Sequence, residues 1–485
     1  MDLVLVSPCN KKKIYGGLSS TLAAVEPPFW AALIAAFVRQ DGYSVSIIDA
    51  SAENLSPEET AERIAGLNPA LAGVVVSGTN PSASTMNMPG AGAILKALKI
   101  RNPGIKTLLA GLHPSSLPER TLKEEEVDFV CQGEGFHTVL NLLKAVKAGG
   151  RNDYDINGLW RMKDGAVVPR SRDELIRNLD DLPFVAWDLL PMEKYRAHNW
   201  HCFQDIKRRQ PYAVIYTSLG CPYKCSFCCI NSIFGKSGIR YRSPRKVVEE
   251  IGILVQKYGV KNIKILDEMF VLNEPHVNEI CDLIKERGYD LNIWAYARVD
   301  TINPRLLKKL KGSGFNWLAF GIEAGSQKVR DGAAKGRFNT DSILQSAKMT
   351  SDAGICIGAN YIFGLPEDDM GTMKETLDLA KELNCEYSNF YAAMAYPGSQ
   401  LYAEAIKEGA RLPDTWLGFS QYGEDTLPLA TKHLTSAEVL RFRDNAFTEY
   451  FGSKKYQDML LKKFGPEALE HVTEMLKVKV KRKYA

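Results

Sequence analysis

The chain has 485 residues, 45% of them hydrophobic and 24% charged, and its 61 Lys and Arg against 57 Asp and Glu leave a net charge of +4. That length makes about two to four domains, each able to bury a core, and a balance so near neutral argues against a nucleic-acid coat or a polybasic membrane clamp. The composition excludes collagen-like, low-complexity and wholly disordered classes. No apolar run reaches the roughly 18–20 residues of a bilayer span. The opening MDLVLVSP reads as a strand and lacks the parts of a secretory signal, so the expected location is the cytoplasm.

Residues 1–150 alternate apolar strand patterns (3–7, 44–49, 72–76, 106–111 and 127–131) with helical ones (29–40, 57–67, 91–101 and 137–147), Ser56 standing as an N-cap. Continuous apolar strands alternating with helices build a parallel, doubly wound, Rossmann-like α/β domain, whose ligands bind beyond the carboxyl ends of the strands. The loops to watch are therefore 77–87, 111–116 and 132–136.

Residues 151–206 read as a linker: a small hairpin turning at Asp164-Gly165, then a proline-rich segment over 179–195 wrapped on the surface. A second alternating series fills 207–412, with strands at 213–218, 262–267, 292–297, 317–322, 356–363 and 387–394 and helices between them. Six βα units predict a partial (β/α)6 TIM-type barrel, with another open sheet as the alternative, and in both cases function collects at the carboxyl ends of the strands. Residues 413–485 read as a C-terminal helical domain capping the open mouth, and the basic run 477–483 as a solvated helix end.

Ten cysteines are too sparse for a disulfide scaffold, yet four fall within nine residues. TSLGCPYKCSFCC puts Cys221, Cys225 and Cys228 in a CxxxCxxC array directly after the first strand of the second series. Three thiolates in one loop suit a soft metal cluster. A closed zinc site needs a fourth protein ligand, and His198 and His201, the nearest histidines, match no finger spacing. A four-iron cluster on three cysteines keeps one iron open. Cys229 and the six scattered cysteines read as packed thiols.

With Phe227 before the third cysteine, this array resembles the radical S-adenosylmethionine (SAM) superfamily. So do LDEMF (266–270), ARVD (297–300), FGIEAGS (320–326), FGLPED (363–368) and YPGSQLY (396–402). Residues 26–50, AGLHPSSLPE (110–119) and VDFVCQGEG (127–135) resemble the cobalamin-binding domain that precedes the barrel in one subgroup. Together they look like a cobalamin-dependent radical SAM enzyme.

The resemblance implies a [4Fe–4S] cluster on Cys221, Cys225 and Cys228, SAM chelated to its open iron, and cobalamin. It implies that Phe227 contacts the adenine through its backbone and that Glu323 accepts hydrogen bonds from SAM; Asp267, Arg298 and Ser326 line the same mouth or serve as rim ion pairs and caps. The DxHxxG string of many cobalamin proteins is absent, so the lower corrin face is expected to meet Ser77 and Thr79. In the turn starting at Gly111, His113 is expected to make a loop hydrogen bond rather than ligate cobalt, while Gly133, Glu134 and Gly135 admit the corrin side chains closely. The implied reaction is C-methylation of a small molecule or natural product, of the type called class B, fed by an electron donor such as flavodoxin or ferredoxin and involving no nucleic acid. The alternatives are a radical rearrangement or cyclisation on the same architecture, and a cobalamin carrier without catalysis.

Overall fold

A computed structural model describes residues 1–16, 23–78, 83–149, 154–336 and 338–485, leaving aside the side chains of Lys12 and Tyr15. Five parallel strands, β1 (Leu3–Ser7), β2 (Val45–Asp49), β3 (Leu71–Val76), β4 (Lys106–Gly111) and β5 (Phe129–Cys131), lie in the order β2-β1-β3-β4-β5. Their residues alternate between two cores: Leu3 and Leu5 face the helices Phe29–Arg39 and Phe136–Lys147, whereas Val4 and Val6 face Pro57–Leu67 and Ala83–Arg101. Burial on both faces is why these strands read as unbroken apolar runs.

The hairpin forms as β6 (Leu159–Lys163) and β7 (Ala166–Val168), turning at Asp164 (φ +50°) and Gly165 (φ +79°), a type I′ geometry. It continues the first sheet, because β6 pairs antiparallel with β5. The helix expected at 91–101 starts eight residues earlier. Pro89 and two glycines, Gly90 and Gly92, disguise its first turns, which are held by Ser84 Oγ on the Val76 carbonyl (2.6 Å) and Asn87 Nδ2 on that of Ser77 (2.9 Å).

In the second half, β8 (Tyr212–Ile215) leads into a short antiparallel pair, β9 (Ser218–Leu219) with β10 (Arg240–Tyr241). Then come β11 (Asn262–Ile265), β12 (Asn292–Ala297), β13 (Phe315–Glu323), β14 (Cys356–Phe363) and β15 (Tyr387–Ala392). The sheet runs β15-β14-β13-β12-β11-β8, all parallel, so sequence order is spatial order and the strands curl into the expected partial barrel. Ser243-Pro244 and Asn303-Pro304 open outer helices with the N-cap side chain bonded into the first turn and proline at the first helical position, which is why those boundaries are legible.

The segment 179–195 departs from the surface wrap expected of it, and the rest of the linker follows it inward as far as Phe203. Leu179, Trp187, Tyr195 and Phe203 are all buried. Trp187 and the Val185 amide share Glu250 Oε1 (3.0 and 2.8 Å), whose carboxylate is paired with Arg242. Trp200 plugs the lower end of the barrel, its ring centroid 5.1 Å from those of Trp294 and Trp317 and 5.4 Å from that of Tyr387. Short 3₁₀ turns carry these aromatics without any period, so no pattern marks them as core. Trp200→Ala is expected to cost about 3–5 kcal/mol of stability, a loss that calorimetric unfolding measures.

The C-terminal helices Ser436–Gly452, Lys454–Phe464 and Pro466–Lys477 line the β15 edge and the barrel's lower end instead of its mouth. Tyr450 and Tyr456 donate to the carbonyls of Cys385 and Glu386 just before β15 (2.7 and 2.9 Å), and Phe464 stacks on Trp317. In the basic tail Lys477, Lys479, Lys481 and Lys483 are exposed, as a solvated helix end would have them, but Arg482 is docked, pairing with Asp444 (2.8 Å) and donating to the carbonyls of Gln421 and Gly423. No helix among the described residues is long and apolar enough to cross a membrane.

The two halves meet carboxyl end to carboxyl end. Ser116 of the first bonds Ser232 of the second (2.7 Å), at a spot where a side chain on Gly398 would strike both hydroxyls. Just ahead of the helix Phe29–Arg39, Glu26 reaches under the barrel to Lys264 (3.1 Å) and the Tyr212 hydroxyl (3.1 Å).

Candidate active site

Where the two halves face each other they enclose a cavity of about 480 Å³, reaching from Ser77 and Gly111 at the edge of the first sheet down the inside of the barrel to Trp200. Inward positions alternate along the strands. Lys264, Leu266 and Glu268 line the wall from β11 upward, Trp294, Tyr296 and Arg298 from β12, and Ala319, Gly321 and Glu323 from β13.

The cysteine loop springs from β9. Asp267 fixes its root, accepting from the Thr217 amide (2.6 Å), the Thr217 hydroxyl (2.5 Å) and the Ser218 hydroxyl (2.6 Å). Burial pushes this carboxyl up to about 6, with those bonds opposing. Gly220 has φ +96°, and a Cβ there would lie 2.4 Å from the Gly238 carbonyl, so only glycine makes this corner. The loop is then pinned by Gly238 N to Cys221 O (3.0 Å), Ser226 N to Ala333 O (3.1 Å) and Leu401 N to Ser226 O (3.0 Å), with Asn231 Nδ2 donating to the Tyr223 carbonyl (2.8 Å). Cys221 is buried, Cys225 half-buried, and Cys228 exposed on the cavity wall beside Phe227.

Burial pushes the Cys221 thiol up to about 11, so it stays protonated until a soft cation displaces the proton. Among the described residues no three His, Cys, Asp or Glu side chains converge on the spacing of one metal ion. Three soft thiol donors grouped in one loop are a donor set that fits an iron–sulfur cluster.

Beside the loop stands a group of charges. Glu323 closes β13 with φ +67°, rare for a side chain of its size, after a register slip against β14 between Gly321 and Glu323. Its carboxylate meets Lys335 Nζ at 2.7 Å, both groups being buried. A Cβ on Gly321 would come within 2.5 Å of Glu323 Oε1 and 2.6 Å of Lys335 Nζ, so the pair occupies that glycine's vacant volume. Arg298 donates to the Lys335 carbonyl (2.6 Å), grips Asp300 with two nitrogens at 2.9 Å, and lies 4.1 Å over the Tyr223 ring.

The remaining sequence-read residues divide. Ser77 and Gly111 line the cavity. Gly111 has φ +127°, and a Cβ there would lie 2.3 Å from the Val76 carbonyl. Thr79 falls outside the described residues. Asp267 and Ser326 are off the cavity wall, Ser326 capping the helix Gln327–Gly332 without a side-chain bond. His113 is buried away from the cavity, its Nδ1 3.2 Å from Thr85 Oγ1 and its ring 4.4 Å from that of Trp416, and burial holds it neutral, down to about 3. Gly133 and Glu134 turn toward the barrel's flank, where Glu134 pairs with Arg240 (2.6 Å) and accepts from the Ile176 amide (3.1 Å), whereas a Cβ on Gly135 would meet Cys131 and Ile34 of its own half.

Sequence reading missed Lys335, which sits in an aperiodic loop, and the cavity-lining Glu268, Asn360 and Asn389. A polar side chain in mid-strand, as at Asn360 and Asn389, was the one signal available for them.

Comparison with known proteins accords with this layout. The B12 binding domain model matches residues 17–143 and the Radical SAM superfamily model residues 215–380. An uncharacterized methyltransferase of Pyrococcus horikoshii is 31% identical over 452 residues, 93% of this chain and 92% of that protein. The anaerobic magnesium-protoporphyrin IX monomethyl ester cyclase of Rubrivivax gelatinosus is 29% identical over 80% of this chain and 68% of its own. Among solved structures, the cobalamin-dependent S-adenosylmethionine radical enzyme OxsB, with aqua-cobalamin and S-adenosylmethionine bound, shares the fold at a TM-score of 0.71 and 14% identity, covering 98% of this chain and 70% of that one. Two matched domains in this order, facing each other across one cavity, make the chain a member of the cobalamin-dependent radical SAM enzymes, with that family's cofactors: a [4Fe–4S] cluster, SAM and cobalamin.

Proposed function

We propose that the chain is a C-methyltransferase acting on a small molecule held in the cavity between its halves. When bound, the cluster with SAM supplies a hydrogen-abstracting radical, and cobalamin supplies a transferable methyl group. The observation that carries the reading is the single cavity, walled by the edge of the first sheet on one side and by Cys228, Glu323 and Arg298 on the other, so both reagents face one substrate.

In this reading Cys221, Cys225 and Cys228 hold the cluster on a loop fixed by its backbone. Lys335 and Arg298 attract the SAM carboxylate, Glu323 receives its amino or ribose donors, and Phe227 lies along the adenine. Ser77 and Gly111 border the corrin, with residues 1–150 as the cobalamin-binding half. His113 stays out of reach of cobalt because it is packed under Trp416. Gly133 and Glu134 hold the halves together rather than the corrin, since Glu134 is spent on Arg240. All ten cysteines are free thiols, which suits a reducing cytoplasm where a low-potential carrier of the flavodoxin or ferredoxin kind delivers the electron.

The test is reconstituted holoenzyme with dithionite, SAM labelled in its methyl group with deuterium, and the small-molecule fraction of its own cell extract. Equal S-adenosylhomocysteine and 5′-deoxyadenosine, with a product carrying the labelled methyl, is the expected result. 5′-Deoxyadenosine without S-adenosylhomocysteine overturns methylation and favours cyclisation, the activity named for the Rubrivivax relative.

A further inference from the structure

Inside the barrel, below the cysteine loop, the wall is uneven. β12 presents Trp294 and Tyr296, while the next two strands present Ala319 and Gly358, paired across β13 and β14. A Cβ on Gly358 would meet nothing closer than Ala319 at 3.9 Å, so this stretch stays open. One step higher, Asn360 pairs with Asn389 across β14 and β15; Asn389 Nδ2 donates to Asn360 Oδ1 (3.0 Å), and Asn360 Nδ2 to the Phe320 carbonyl (3.1 Å). Those bonds use one donor of each amide and leave the Asn389 carbonyl as an acceptor.

Glu268 lines the same chamber, two residues above Leu266 on the wall that continues β11. Its neighbour Asp267 is saturated by Thr217 and Ser218, but no hydrogen bond to the Glu268 carboxyl occurs among the described residues. The charged groups that bear on it are Asp267 and Lys264, and Lys264 is already engaged with Glu26 at 3.1 and 3.2 Å. Among the described residues the chamber thus offers two acceptors with no donor on them, one a carboxyl, while the cations on its wall are engaged elsewhere, Lys264 with Glu26, Lys335 with Glu323 and Arg298 with Asp300. Such a carboxyl is costly to hold ionised in an apolar enclosure unless a donor arrives with the ligand.

We propose that Glu268 anchors the substrate through a protonated amine, with the substrate's compact apolar body lying over Ala319 and Gly358 toward Asn389. This rests on the reading of the cavity as a substrate chamber. The cost of ionising Glu268 agrees with it: burial first, then Asp267, pushes the carboxyl up to about 8, and an incoming cation offsets both. A polyanion or a long peptide fits neither the charge nor the volume.

The test titrates reconstituted holoenzyme, saturated with SAM, with three probes of one shape: phenethylamine, phenethyl alcohol and hydrocinnamate, followed by calorimetry. The amine is expected to bind best, and Glu268→Gln to weaken it by about tenfold or more while sparing the alcohol; Glu268→Asp, which keeps the charge on a shorter arm, weakens it less. Equal affinity for the three probes, or amine binding unchanged in Glu268→Gln, overturns the proposal. So does a Glu268→Gln defect confined to SAM affinity, which assigns the carboxyl to the cofactor. Iron content and melting temperature equal to wild type show that each variant is folded. SAM cleavage by wild type under dithionite is scored separately: its failure overturns the radical reading, whereas loss of amine discrimination alone overturns only the role of Glu268.

Discussion

Cys225→Ala protein purifies folded but nearly free of iron, and cleaves SAM slower than wild type by roughly three orders of magnitude or more, a barrier increase of about 4 kcal/mol. The loop keeps its course because backbone bonds to Gly238, Ala333 and Leu401 hold it, and none of them involves a thiol. What is lost is one of three ligands, and two thiolates do not retain a cluster that the full triad leaves open at one iron. Cys229→Ala is the control. That residue is buried next to the triad, and truncating it costs about 1–2 kcal/mol of packing while iron and SAM cleavage remain. Iron quantitation, visible absorption and 5′-deoxyadenosine release read both variants. Iron retained at wild-type level in Cys225→Ala would remove that cysteine from the ligand set.

Lys335→Met is the second large effect. It strands the Glu323 carboxylate in a buried site, and breaking one side of such a pair costs about 3–5 kcal/mol. Denaturant unfolding measures that loss, and the KM for SAM rises with it because the cation facing the cavity is gone. Two substitutions at Glu323 separate strain from binding. Glu323→Ala and Glu323→Gly both remove the carboxylate, but at φ +67° only glycine is unstrained, so the Gly variant is more stable than the Ala variant by about 1 kcal/mol. Both lose SAM affinity alike. Equal stability of the two would mean that the backbone relaxes out of the left-handed region.

The framework of both halves is legible from residue pattern because its strands are buried on two faces and its helices carry their own start signals, as Ser56-Pro57 and Ser243-Pro244 do. The triad is legible because all three cysteines sit in one loop. Periodicity says nothing about residues that act from irregular backbone. Trp200 and its neighbours, read only as linker, are core because the barrel's lower end needs a plug, and a plug needs bulk rather than period. Lys335 reaches the site only because Ala334, at φ +51°, turns the chain back toward Glu323. The strand-end rule placed the residues of 133–135 near a ligand, whereas a tertiary partner, Arg240, draws Glu134 away. Asp267 and Glu268 show how fine the distinction is: adjacent carboxylates on one segment, the first turned into the fold and the second into the chamber.

The bond between Glu26 and Lys264 has a consequence for how this protein unfolds. Glu26 precedes the helix Phe29–Arg39 of the first half, yet it neutralises a lysine inside the other half and receives the Tyr212 hydroxyl as well. Phe29, at the start of that helix, packs edge-on against Tyr216 at 5.0 Å. Cutting the chain between the halves would leave a buried ammonium without its counter-ion at the barrel floor. Two units that look separable along the sequence are therefore a single cooperative block, melting in one transition.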